Sequence, residues 1–78
     1  MSNVKTVINT WDPIDLLSHA PKDEYHSEIK EVEELLKSTN NVYDLAEGIY
    51  NIFLNSFGQE AFQKTKYECI LIAKKLLW

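Results

Sequence analysis

The sequence predicts an all-α protein, a small antiparallel bundle of about four helices in a single domain over residues 1–78. Apolar residues recur at spacings of three and four in successive segments, and no stretch alternates between turn residues as a half-buried strand would. Two glycines and two prolines leave little room for long irregular loops. A composition of 45% hydrophobic and 26% charged residues belongs to a globular chain and not to a disordered one. A chain of this length hides only about 60–65% of its unfolded surface, enough for one core and little else.

Val4, Val7, Ile8 and Trp11 fall at helical spacing between polar neighbours, which predicts a first helix over residues 3–11. Asp12-Pro13 then restarts the chain. Aspartate is a favoured N-cap and proline a favoured first helical residue, so a short helical turn through Ile14 and Leu17 is expected. The segment from Pro21 to His26 reads as a connector. Tyr25, Ile29, Val32 and Leu36 share one face, while Lys30, Glu31, Glu34 and Lys37 point outward, which predicts a second helix from Ser27 to Ser38. Glu33 and Lys37 have the favourable i,i+4 order. A break at Ser38-Thr39-Asn40-Asn41 offers capping side chains for a third helix over residues 41–57. Its principal face is Val42, Leu45, Ile49, Ile52 and Phe53. Gly58 suits a left-handed position that stops this helix. A last helix over residues 59–77 would bury Phe62, Cys69, Ile70, Ala73, Leu76 and Leu77.

The bulk numbers exclude several classes of function. Eight lysines, no arginine and twelve acids give a net charge of −4. Affinity for a phosphate backbone comes mainly from cations, and guanine is read mainly by arginine, so nucleic acid is not an expected partner. No stretch approaches the length of a membrane span, and the first residues lack the apolar core of a secretory signal. The lone Cys69 forms no internal disulfide, which favours a cytoplasmic setting.

Residues able to do chemistry are few. His19, Asp23, Glu24, His26 and Glu28 are legitimate zinc-ligand types, but their spacing matches no metal motif. A solvated loop beside a helix N-terminus accounts for the acids as well. Asp12 and Asp15 look like paired carboxylates, and a capping role for Asp12 explains the first of them better. Cys69 lies on an apolar stripe with no histidine nearby in sequence, the setting of a small buried hydrophobe. There is no glycine-rich phosphate loop. The expectation is a protein that is not an enzyme and takes no cofactor or metal.

Two segments carry more apolar surface than one face can bury. Tyr43, Tyr50, Leu54 and Phe57 lie roughly opposite Leu45 and Ile52. Tyr67, Leu71 and Trp78 lie away from Phe62, Cys69 and Ala73. A helix packed on two sides would bury them all, but a domain this small has little capacity for two such helices. What remains exposed would mark a partner site, and tyrosine and tryptophan are common interface anchors. Charge is also uneven. Residues 1–39 hold eight acids and four lysines, whereas residues 40–78 hold four of each. Solubility and helix capping explain this in part, and a negative face that steers a basic partner is the functional alternative.

The run Ile8-Asn9-Thr10-Trp11-Asp12-Pro13-Ile14-Asp15, followed by Pro21-Lys22-Asp23-Glu24-Tyr25 and Glu28-Ile29, resembles a family of short, uncharacterised bacterial proteins. That family carries an I-N-x-W-D-P-I/L-G segment, then P-x-D-E-Y and an acidic helix. Leu45-Ala46, Ile52-Phe53, Ser56-Phe57 and Glu68-Cys69 fit the same picture, so the resemblance covers most of the chain. Asp15 stands where the pattern has glycine, and His26-Ser27 where it has Asp-Pro, which weakens the cap there. The resemblance implies a small helical fold of unknown function. Some members of such families look like immunity proteins beside toxin genes.

The functional expectation is a non-catalytic protein-binding domain. Its most concrete form is an immunity or antitoxin-like protein that covers a basic toxin, for example a nuclease. Asp12, Asp15, Asp23, Glu24, Glu28 and Glu31 would face that partner, with Tyr25 as an aromatic anchor. The alternative is a structural or regulatory module that forms a homodimer through Tyr43, Tyr50, Tyr67, Leu71 and Trp78.

Overall fold

The computed structural model describes residues 4–16 and 24–78. It is a small all-α bundle of four helices: α1 (Val4–Trp11), α2 (His26–Ser38), α3 (Val42–Ala61) and α4 (Lys66–Leu77). Among the described residues there is no strand. α3 packs against α2 and α4, and α1 packs against the same two, so the four helices close a ring around one core. The predicted core residues Ile29, Val32, Leu45, Ile49, Phe53, Phe62, Cys69, Ala73 and Leu76 are all buried. Ile52 is only half-buried, as are Ile70 and Leu77, while Ile72 takes a core position instead.

The first connection differs from the expected helical turn. Asp12 does not start a helix but ends α1. Its φ is 45°, and its backbone N–H donates to the Ile8 carbonyl at 2.8 Å. A left-handed residue whose N–H reaches four residues back is the αL helix stop, and a proline directly after it prevents continuation. The chain then turns through Asp15, where φ is 55°. This is the position at which the family pattern carries glycine, the residue that takes positive φ without steric cost. Aspartate tolerates it better than most side chains.

α2 begins at His26 with no side-chain cap, in keeping with the absence of the Asp-Pro pair. Lys37 pairs with Glu34 at 3.0 Å and not with Glu33 as the i,i+4 order predicts. α3 is capped as expected: Asn41 Oδ1 accepts from the N–H groups of Tyr43 at 2.9 Å and Asp44 at 3.0 Å. At Gly48 a side chain would run into Leu35, so glycine permits the close approach of α3 to α2.

Gly58 has positive φ, as predicted, but its ψ of 166° places it in the mirror-extended region and not in the helical one. That region belongs essentially to glycine. The last helix therefore does not start at residue 59. One helical turn follows the break, ended by Phe62, whose N–H donates to the Gly58 carbonyl at 2.9 Å. Phe62 is buried against Trp11, Tyr50 and Phe53, so this link is part of the core. α4 begins only at Lys66, where Thr65 Oγ1 accepts from the Glu68 N–H at 3.2 Å.

Candidate functional site

Of the residues expected to face a basic partner, Tyr25 and Glu28 are buried and Asp12 is half-buried. Tyr25 is fully buried. Its ring packs edge-on to Phe53 and Phe57, with centroids 5.9 and 6.1 Å apart. Its hydroxyl donates to Asp12 Oδ1 at 2.5 Å and accepts from the Ile14 N–H at 3.3 Å. The same Asp12 oxygen accepts from the Leu16 N–H at 3.0 Å. Burial, then the bond to Asp12, pushes the Tyr25 phenol up to about 12, so it stays protonated and donating. Tyr25 is thus a core pin joining the start of α2 to the turn after α1. With its ring enclosed by the core, Tyr25 presents no surface on which a partner could be anchored.

Asp12 is half-buried and committed to this knot. Glu28 is buried in the first turn of α2, where unpaired backbone N–H groups favour a carboxylate. Asp23 and His19 lie outside the described residues. Asp15, Glu24 and Glu31 are exposed. Lys30 and Lys37 are exposed on α2 alongside Glu31, Glu33 and Glu34, so its outer face has mixed charge.

The aromatic set fares differently. Tyr67, Leu71 and Trp78 are 67%, 40% and 84% exposed. At 100° per residue Tyr67 and Leu71 lie about 40° apart around α4, and Trp78, the residue that caps its end, continues the line with its N–H bonded to the Lys74 carbonyl at 2.9 Å. They lie opposite the buried Cys69, Ile72, Ala73 and Leu76, so α4 is apolar on both sides. Glu68 and Lys75 run along one flank of the stripe, and the exposed Lys74 with the half-buried Ile70 and Leu77 along the other. Tyr43 is exposed at the start of α3. Tyr50 leaves the set: it is half-buried, packs on Phe62 at 5.6 Å, and has the Lys66 ammonium 5.4 Å over its ring. Lys66 also pairs with Glu47 at 3.2 Å.

Cys69 is fully buried. Burial, then Glu68 and Glu47, pushes its thiol up to about 12, the opposite of what a nucleophile needs. Among the described residues no three of His, Cys, Asp and Glu gather as metal ligands. A shallow groove between α1 and α4, lined by Val7, Trp11, Ile72 and Lys75, adjoins the α4 stripe. No helix among the described residues is long and apolar enough to cross a membrane.

Comparison with protein families places residues 3–78 in the domain of unknown function DUF1871, and the chain belongs to that family. No curated protein and no solved structure matches it.

Proposed function

We propose that this chain is a non-catalytic protein-binding domain of a cytoplasmic bacterial protein, and that the outer face of α4 is its contact surface. The observation that carries this reading is the exposed line of Tyr67, Leu71 and Trp78 opposite the core face of α4. Scattered apolar residues on a surface are ordinary, whereas an aligned aromatic group edged by charges has the make-up of an interface. Tyrosine and tryptophan add large area with few torsions to freeze. The paired variant Tyr67→Ala and Trp78→Ala tests it. Binding to the native partner should fall while the far-ultraviolet circular dichroism and melting temperature stay those of the parent. Unchanged binding by a folded double variant would refute this surface.

The immunity reading keeps one supporting observation, the exposed acids Asp15, Glu24 and Glu31 in the half of the chain that holds all the net charge. In this reading the chain covers a basic toxin such as a nuclease. Reversing Glu24 and Glu31 to lysine should then slow association, and added salt should do the same. An association rate indifferent to both would end this reading.

A further inference from the structure

We propose that the occupant of the α4 face is a second copy of this chain, with the two α4 helices side by side and antiparallel about a two-fold axis near Leu71. This inference rests on the reading of α4 as the contact surface and names its partner.

The support is the order of charges along the helix. Glu68 lies in the first turn of α4, and Lys74 and Lys75 lie in the last. With Leu71 at the axis, residues three and four positions before it on one copy meet residues four and three positions after it on the other. An antiparallel two-fold keeps each flank of the helix on the same side of the interface. Glu68 and Lys75 share one flank, about 60° and 40° from Leu71 by the helical angle. Glu68 of one copy therefore meets Lys75 of the other. Tyr67 and Lys74 share the opposite flank, so the ammonium of Lys74 meets the ring of Tyr67 in the second copy. Both contacts occur twice by symmetry, and Leu71 meets Leu71 between them.

A parallel arrangement would instead bring the lysines of both copies together and align the two helix dipoles. The antiparallel face is thus complementary to itself in charge as well as apolar. Area is consistent with a weak dimer. Aromatic side chains bury about 150–250 Å² each, so the stripe alone supplies about half of the 800 Å² per partner of a standard interface. The adjoining α1–α4 groove beside Lys75 extends it.

Sedimentation equilibrium of the whole chain over a concentration series tests the inference. The expected result is a reversible monomer–dimer equilibrium. Leu71→Glu should abolish the dimer with the fold retained. Lys75→Glu should weaken it, and adding Glu68→Lys to Lys75→Glu should restore it. Under mild oxidation Leu71→Cys should link two copies covalently, because the axis sets these side chains against each other, whereas the buried Cys69 of the parent should not. A chain that stays monomeric throughout, or a dimer indifferent to Leu71→Glu and to the charge swap, would overturn the inference. A monomer whose capture of a different protein still depends on Tyr67 and Trp78 would overturn the second copy alone and leave the contact surface standing. A monomer whose binding ignores those residues would overturn both.

Discussion

α2 and α4 are nearly equal in length, at 13 and 12 residues, and each presents one buried face to the same core. Their outer faces are opposites. α2 shows solvent a mixture of lysines and glutamates, including the exposed Lys37–Glu34 pair. α4 shows solvent Tyr67 and Leu71, continued by Trp78 at its end, with Lys74 and Lys75 at the edges of that apolar line. The inner faces carry the fold, and both helices solve that problem in the same way. The outer faces are free of that demand, so an apolar outer face needs another explanation. Their beginnings differ too. α2 is entered through a buried phenol without a side-chain cap, and α4 through Gly58, Phe62 and the Thr65 cap.

Truncating the two inner faces should have equal and large effects. Ile29→Ala in α2 and Leu76→Ala in α4 should each destabilise by about 2–5 kcal/mol in urea titrations, since both side chains are buried in one core. A cost under about 1 kcal/mol for either would show that helix to be peripheral to the fold. The entries come next. Gly58→Ala meets no steric obstacle, because nothing lies within 4 Å of an added Cβ. It should still cost about 1–3 kcal/mol, from the backbone conformation alone. Stabilisation by alanine would mean that α3 runs straight through this position.

Tyr25→Phe keeps the ring and removes the hydroxyl between Asp12 and Ile14. Loss of about 1–3 kcal/mol is expected, the usual effect of leaving a partly buried polar group without its partner. The phenol adds a pH signature. Its pKa rises from 10.0 to about 12 on folding, so the folded state holds the proton more tightly than the unfolded one. The stabilisation is complete below pH 10 and is lost as pH climbs toward about 12. The parent should therefore lose stability more steeply across that window than Tyr25→Phe does. Equal slopes would place the hydroxyl outside the knot. Smallest are the outer faces: Glu31→Ala in α2 and Leu71→Ala in α4 should change monomer stability by no more than about 0.5 kcal/mol.

Much of this fold was legible because amphipathic periodicity fixes which side of a helix meets the core. Ile29, Val32, Leu45, Ile49 and Phe53 follow from spacing alone, and Asn41 from its capping chemistry. The start of α4 was also written in the chain, as Thr65 followed three residues later by Glu68, a capping signature. It was masked by Phe62, whose burial looks the same in a sequence whether the residue is helical or in a link. Asp12 was misread because Asp-Pro is a good helix start and an equally good stop. What decides is the hydroxyl of Tyr25, thirteen residues away.

The candidate surface was half legible. The positions of Tyr67, Leu71 and Trp78 around a helix are geometry, and their exposure follows from the opposite face being core. The acidic set divides, because a count of charges along a chain cannot separate Glu31, in solvent, from Glu28, which is buried, or from Asp12, which is bonded to the backbone and to Tyr25. Tyr50 dropped out through its contacts with Phe62 and Lys66, which join residues distant in sequence.

The contrast between the outer faces of α2 and α4 is tested most directly by amide chemical shifts of the parent chain across a dilution series. Self-association through α4 predicts concentration-dependent shifts along Lys66–Leu77, centred on Leu71, with the amides of His26–Ser38 unmoved. Shifts confined to α2, or a spectrum that does not change with concentration, would contradict it.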